Sequence, residues 1–291
     1  MAIDKIMVVG MGLMGHGIAQ ISAEAGMETY VYDTSKKAIE KGIAKIAKVL
    51  EGKVKKEKIS EQEKESIIAR IKPMDKLERV DVDLLIEAVV ENIEIKKQVF
   101  AELDGIMPEK TIFGSNTSAL PCTPMASATK RPDRFIVVHF HQPPQVMKLV
   151  ELARGLDTSD DTLKAAKEYC SRLGKVAVEI KKDCPGYLTN RAMMPMVNEA
   201  IWILYEDVCT KEDIDAGFRE GFHHPVGPLE LSDFVGLDTM LHIFEDLHKQ
   251  YGGNKYLPCP LLKNLVASGR LGVKSGKGFH KYDERGKRIV Q

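Results

Sequence analysis

The sequence predicts an α/β chain, a Rossmann-like doubly wound sheet followed by an all-helical C-terminal domain. Three observations predict it. Short apolar runs alternate with amphipathic stretches up to residue 180, the pattern of a mainly parallel sheet whose crossovers are helices. A glycine-rich turn, Gly10-Met11-Gly12-Leu13-Met14-Gly15, joins the first apolar run to the first amphipathic stretch. After Pro185-Gly186 the apolar residues Leu188, Ala192, Met196, Ala200 and Leu204 recur every four positions, the stripe of a half-buried helix.

Taken in order, residues 6–9 read as a short buried strand and residues 14–25, rich in small and apolar side chains at helical spacing, as the helix behind it. Residues 29–32 are β-branched and aromatic, a second strand. Residues 36–52, strongly basic, and 61–71 read as helices. Further strands are expected at 84–89, 111–113, 135–138, 147–152 and 176–180, with the turn Gln142-Pro143-Pro144-Gln145 separating the last pair but one. Pro195 falls inside the striped helix and should kink it. Pro225-Val226-Gly227-Pro228 and Pro258-Cys259-Pro260 mark short connectors in the helical part. The domain boundary is placed near 183–187, giving a nucleotide-binding domain over 1–184 and a helical domain over 185–291.

Composition removes several function classes. Lys plus Arg (42) balances Asp plus Glu (42) among 291 residues, so the formal net charge is zero; a nucleic-acid binder would carry a basic surplus. No run of 18 apolar residues exists, so no membrane span is expected. A strand pattern beginning by residue 4 leaves no room for a leader peptide. The five cysteines, at 122, 170, 184, 209 and 259, show no zinc-ligand spacing and read as reduced thiols of a cytoplasmic protein.

The glycine turn carries the first chemistry. Gly10 permits the tight turn, Gly12 a close backbone approach to a pyrophosphate, and Gly15 close packing of helix on strand. The pyrophosphate would rest on the helix N-terminus beside Leu13 and Met14, where unpaired N–H groups favour negative charge. Asp33 ends the second strand, 18 residues after Gly15, where a carboxylate binds ribose hydroxyls and repels a 2′-phosphate. NAD is therefore the expected cofactor, with Lys36 and Lys37 close enough to keep NADP open. A phosphate-binding GxxxxGK[ST] loop is absent from the sequence.

His139 stands at the end of a predicted strand that points toward the cofactor crevice. Oxidising an alcohol needs a base for its proton, and an imidazole titrates near neutrality. Glu151 follows twelve residues later, on the strand after the proline turn, and a strand–turn–strand return brings its carboxylate to the second ring nitrogen, fixing the tautomer. His139 and His141 also share one strand face, a spacing open to metal ligation with His223 or His224. No carboxylate or cysteine spacing supports that reading, and no metal is expected.

Four segments, Ser115-Asn116-Thr117-Ser118, His139-Phe140-His141-Gln142-Pro143, Met147-Lys148-Leu149-Val150-Glu151 and Pro185-Gly186 with Asn190-Arg191, together resemble the 3-hydroxyacyl-CoA dehydrogenase family. The resemblance runs through residues 86–92, 198–200 and 224–231 to residues 270–279, nearly the whole chain. It implies an NAD-dependent enzyme interconverting L-3-hydroxyacyl-CoA and 3-oxoacyl-CoA, a homodimer through its helical domain. It also implies roles: His139 as general acid/base oriented by Glu151, Ser118 bonding the substrate near its 3-oxygen, and Asn190 holding it near the thioester. Ser118 is otherwise a turn serine and Asn190 a locally bonded residue of a helix start. Glu91 and Lys96 fall at positions near the nicotinamide-side ribose, though Lys96 also suits a solvated helix face. Lys274 corresponds to a lysine near the cofactor, or caps a turn. Lys53, in the basic stretch with Lys55, Lys56 and Lys58, is the candidate contact for the coenzyme A phosphates, or a solvated lysine.

One departure stands out. The family pattern His-Phe-Phe-Asn-Pro is here His139-Phe140-His141-Gln142-Pro143, which makes the acyl pocket or its support more polar and points to a functionalised or otherwise non-standard acyl chain. Two competing readings remain. β-Hydroxyacid dehydrogenases share the glycine loop but use a catalytic lysine in a glycine-rich helix, which this chain lacks. A non-catalytic NAD-binding protein of the lens-crystallin kind would keep the glycines, but the full set Ser118, His139, Glu151 and Asn190 argues against it.

Overall fold

The computed structural model describes residues 3–289. The chain divides into two compact units after Tyr187. No described helix is long and apolar enough to cross a membrane.

The first unit contains, in chain order, β1 (Lys5–Val9), α1 (Gly15–Glu24), β2 (Glu28–Tyr32), α2 (Lys36–Lys55), α3 (Glu61–Arg70), β3 (Ile71–Pro73), β4 (Leu84–Glu87), α4 (Ile93–Ile106), β5 (Ile112–Ser115), α5 (Cys122–Ala126), β6 (Phe135–Phe140), β7 (Leu149–Arg154), α6 (Asp160–Arg172) and β8 (Val176–Ile180). The strands form one sheet in the order β3-β2-β1-β4-β5-β6-β7-β8. All neighbours are parallel except β6 and β7, which run antiparallel. Chain order reverses between β1 and β4, the crevice where such sheets bind ligands at their carboxyl ends. Successive residues of β1 serve opposite faces: Ile6 and Val8 join one apolar cluster with Ile18 of α1, while Met7 and Val9 join another with Phe100 of α4. Burial on both faces explains the continuous apolar run.

Two crossover helices, α4 and α6, lie outside the elements expected from sequence, although Val99, Phe100, Leu103 and Ile106 of α4 and Leu163, Ala166, Tyr169 and Cys170 of α6 recur at helical spacing and both helices carry start signals. The Asn92 side chain accepts from the N–H groups of Glu94 and Ile95, and Ser159 caps α6 ahead of Asp160 and Asp161. The third helix ends at Arg70, and Ile71 opens the unexpected β3, a three-residue edge strand closed by Pro73. The strand expected at 84–89 stops at Glu87, where the side chain turns back to accept from Val89 N–H at 2.7 Å.

The second unit contains α7 (Thr189–Tyr205), α8 (Lys211–Ala216), α9 (Pro228–Val235), α10 (Leu237–Tyr251) and α11 (Pro260–Ala267). Met194, Val197 and Ile201 of α7 pack with Leu229, Phe244 and Leu262. Pro195 lies within α7 without dividing it. The glycine-rich segment after α11 has a structural task. Buried Asp233 accepts from Phe279 N–H (2.9 Å), His280 N–H (2.8 Å) and the Tyr282 hydroxyl (3.0 Å). A Cβ on Gly278 would lie 1.8 Å from the Asp233 carboxylate, so only glycine admits this fold-back.

Candidate active site

The glycine turn leaves β1 at the crevice. Gly10 has φ +96°, and its N–H donates to Tyr32 carbonyl at 2.8 Å. A Cβ on Gly15 would stand 1.7 Å from the Gly10 carbonyl oxygen, so α1 and the turn meet backbone to backbone. Gly12 differs: an added Cβ would meet nothing within 4 Å. The N-terminus of α1 has no side-chain cap and no acidic residue in its first turn, which leaves its N–H groups for an anion. Asp33 ties the loop together, accepting from Met11 N–H at 2.8 Å and Ser35 N–H at 2.9 Å. A carboxylate oxygen has more than one acceptor position, so Asp33 retains capacity for ribose hydroxyls. Open space at Gly12, an uncapped helix start and a half-buried carboxylate fit a dinucleotide. Gly12→Ala should therefore weaken NADH binding while leaving the melting temperature within about 2 °C, the effect of well under 1 kcal/mol. Gly15→Ala should lower both. NADH fluorescence titration and thermal unfolding separate the two outcomes.

On the other side of the crevice, His139 and Glu151 are directly opposed in the antiparallel register of β6 and β7. Opposed residues project to the same face. His139 Nδ1 and Glu151 Oε2 lie 2.7 Å apart, with the histidine side chain 7% exposed and the glutamate 0%. The remaining ring nitrogen is Nε2. Around this pair the backbone is held from three directions. The Asn116 carboxamide oxygen accepts from Phe140 N–H at 2.9 Å. Gln145 donates to Gln20 of α1 at 3.0 Å, and Lys175 to the carbonyls of Pro144 and Met147 at 2.5 and 2.8 Å. Gly17 leaves room for that turn, because a Cβ there would meet Pro144 at 2.6 Å.

His141, expected in the acyl pocket or its support, lies against the pair. Its Nε2 is 3.9 Å from Glu151 Oε2, and its ring centroid is 4.7 Å from that of His139. Burial, then the neighbouring His139, hold its pKa below the ordinary histidine value, which favours the neutral ring at pH 7. The carboxylate missing from the sequence spacing around the two histidines is thus Glu151. Tyr187 closes the other flank, its centroid 5.7 Å from His139 and its hydroxyl donating to Leu120 carbonyl at 2.6 Å.

A buried ionic network supports the loop after β5. Lys96 is not a solvated lysine: it is 0% exposed, and its ammonium lies 2.7 Å from Glu87 Oε1 and 3.4 Å from Glu91 Oε2. Glu87 also accepts from the Ser115 hydroxyl at 2.7 Å. Glu91 accepts from the Thr117 hydroxyl and from the N–H groups of Ser118 (2.8 Å) and Ala119 (3.3 Å). Glu91, Lys96 and Ser118, separated in sequence, are therefore brought together. Glu87, Asn116, Thr117 and Tyr187 are given no role by the sequence; Asn116, Thr117 and Tyr187 act through partners 24 to 67 residues away.

Three candidates remain. Lys53 is engaged by Glu24 of α1 at 2.6 Å. Asn190 is buried in the first turn of α7, and Lys274 bonds Asp238 at 2.6 Å, both within the second unit. Among the described residues the one grouping with metal-ligand proximity is His139, His141 and Glu151; His223 and His224 do not belong to it.

Comparison with known proteins places this geometry. The NAD-binding domain of 3-hydroxyacyl-CoA dehydrogenase matches residues 5–184 and the C-terminal domain of the same family matches residues 186–282. A probable 3-hydroxybutyryl-CoA dehydrogenase of Bacillus subtilis is 47% identical over 286 residues, covering 98% of this chain and 99% of that protein. The 3-hydroxybutyryl-CoA dehydrogenase of Bradyrhizobium diazoefficiens is 44% identical over 289 residues, covering 99% and 98%. The crystal structure of (S)-3-hydroxybutyryl-CoA dehydrogenase from Ralstonia eutropha superposes with a TM-score of 0.92 at 42% identity, covering 97% of this chain and 100% of that one. With both domains matched in order and relatives this similar over nearly their full length, the chain belongs to the 3-hydroxyacyl-CoA dehydrogenase family.

Proposed function

We propose that this protein interconverts L-3-hydroxyacyl-CoA and 3-oxoacyl-CoA, with His139 as the general acid/base and Glu151 as its orienting carboxylate. The observation that carries the reading is the 2.7 Å contact between His139 Nδ1 and Glu151 Oε2, on opposed positions of β6 and β7 at the carboxyl end of the sheet. NAD supplies the hydride acceptor, or as NADH the hydride donor, for the substrate C3.

The chain's own residues handle the proton. With Nδ1–H donated to Glu151, the neutral tautomer presents Nε2 as the base. In the oxidative direction Nε2 takes the 3-hydroxyl proton, and Glu151 stabilises the resulting imidazolium. In the reductive direction the imidazolium returns it to the 3-oxygen. Burial of the pair strengthens the interaction by excluding water. Neutral His141 keeps Glu151 engaged with His139 rather than drawn to a second cation.

Gly10, Gly12, Leu13, Met14, Gly15 and Asp33 hold the cofactor in this reading, with Glu91, Lys96 and Lys274 on its nicotinamide side. Ser118 bonds the substrate 3-oxygen, Asn190 its thioester, and Lys53 the coenzyme A phosphates. Homodimerisation through the helical unit and a cytoplasmic location belong to the same proposal; the location is supported by the cysteines at 122, 170, 184, 209 and 259, all of them unpaired.

The test is reduction of acetoacetyl-CoA with NADH and NADPH in parallel. Turnover with NADH, and a kcat/KM with NADPH lower by at least about 10-fold, is expected from one repelled 2′-phosphate, an effect above about 1.4 kcal/mol. Equal use of both cofactors contradicts the role given to Asp33, and no turnover with either contradicts the activity.

A further inference from the structure

His141 takes no part in the proton transfer, yet its ring lies against both residues that do. Its Nε2 is 3.9 Å from Glu151 Oε2, and His139 Nδ1 is 2.7 Å from the same oxygen. A donor atom from each of the three residues lies within 4.8 Å of a donor atom of the other two. Zinc sits about 2.0–2.2 Å from imidazole nitrogen and carboxylate oxygen, so the donors of a tetrahedral site are about 3.3 Å apart. The two separations from Glu151 Oε2 bracket that value, each about 0.6 Å from it, and the histidine donor atoms lie within 4.8 Å of one another. Two imidazoles and one carboxylate are also the donor set of three-ligand zinc sites with an open fourth position.

The donors are held before any cation arrives. His139 and Glu151 are opposed on paired strands, and both are buried. The Asn116 side chain fixes Phe140 N–H between the two histidines. Ordering side chains on binding is a cost that such a site largely avoids. The sequence supplies the third donor only because His141 stands where the family pattern has phenylalanine.

We propose that His139, His141 and Glu151 bind a divalent transition-metal cation, zinc foremost, and that its occupancy switches the enzyme off. Bound zinc takes the lone pair of His139 Nδ1 and an oxygen of Glu151, and the one proton of the neutral ring moves from Nδ1 to Nε2, which then has no lone pair to accept the substrate proton. The histidine is then no longer free to exchange a proton with substrate. Binding stands on the geometry alone; inhibition rests on the function proposed above. Nitrogen donors disfavour magnesium, which serves as the control.

The experiment is isothermal titration of chelator-stripped protein with zinc chloride, then with magnesium chloride, for the wild type, His141→Phe and His141→Gln. One zinc per chain is expected for the wild type, with affinity lower by at least about 10- to 100-fold in both variants, since even outer-shell changes cost that much. Magnesium should give no heat. NADH consumption should fall in the wild type as the site fills and recover with EDTA. Zinc affinity unchanged by both substitutions overturns the site and assigns the binding to surface groups such as exposed Cys209. Turnover that saturating zinc leaves untouched overturns the inhibition. Binding that requires His141 in a protein without turnover upholds the site and overturns the dehydrogenase reading instead.

Discussion

Replacing His139 by glutamine should lower kcat for acetoacetyl-CoA reduction by about 10²- to 10⁴-fold, the range that a positioned acid/base supplies. Glutamine keeps a hydrogen-bond donor for Glu151 but has no nitrogen that takes and returns a proton near neutral pH. The glycine turn and Asp33 are untouched, so NADH binding should persist. The fold should persist as well, since β6 is anchored through Phe140 N–H and its ladder to β7 rather than through the imidazole. Steady-state NADH oxidation, with circular dichroism as the control for folding, checks the prediction. A loss smaller than about 10-fold would place the acid/base elsewhere.

The second large effect concerns stability. Lys96→Met removes the cation from a carboxylate that is 0% exposed, leaving Glu87 with the Ser115 hydroxyl and Val89 N–H as its remaining donors. Breaking a buried pair from one side costs about 3–5 kcal/mol. For a unit of this size that corresponds to a fall of roughly 6–20 °C in melting temperature. The double variant Lys96→Met/Glu87→Gln should recover part of the loss, because no buried charge is then left unpaired. Urea unfolding of the wild type, the single and the double variants measures the difference. Equal stability of wild type and Lys96→Met would mean that the ammonium is not buried against Glu87.

These two sites differ in how far the sequence displays them. His139 and Glu151 are twelve residues apart on either side of a proline turn, so a local strand return is enough to pair them. The glycine turn is legible for a similar reason: its three glycines and Asp33 follow the ends of two strands consecutive in the chain, β1 and β2. Lys96 and Glu87 are only nine residues apart, yet their pairing depends on α4 crossing the end of β4. The apolar residues Ile93, Val99, Phe100, Leu103 and Ile106 of α4 do recur at helical spacing and pack into one cluster, but spacing alone does not say that Lys96 turns inward to Glu87 rather than out to solvent. Asn116 reaches Phe140 across 24 residues, and Asp183 caps α5 across 61; contacts of that range are set by sheet order, not by neighbouring residues. The shared strand face of His139 and His141 is legible in the sequence, whereas the nearness of Glu151 to both rings emerges only once β6 and β7 are in register.

The same register explains how one oxygen organises the site. Glu151 Oε2 is the partner of His139 and the near neighbour of His141. The proposed acid/base role needs it to hold the His139 ring with Nδ1 protonated, while burial lowers the pKa of His141. The network of Glu87, Glu91 and Lys96 performs the corresponding task for the loop that carries Ser118.

The most direct test of the central claim is NADH formation from NAD with the L and D enantiomers of 3-hydroxybutyryl-CoA offered separately. Turnover with the L substrate and none with the D is expected. NADH binding without turnover of either enantiomer would contradict it and leave a nucleotide-binding protein that catalyses nothing at His139.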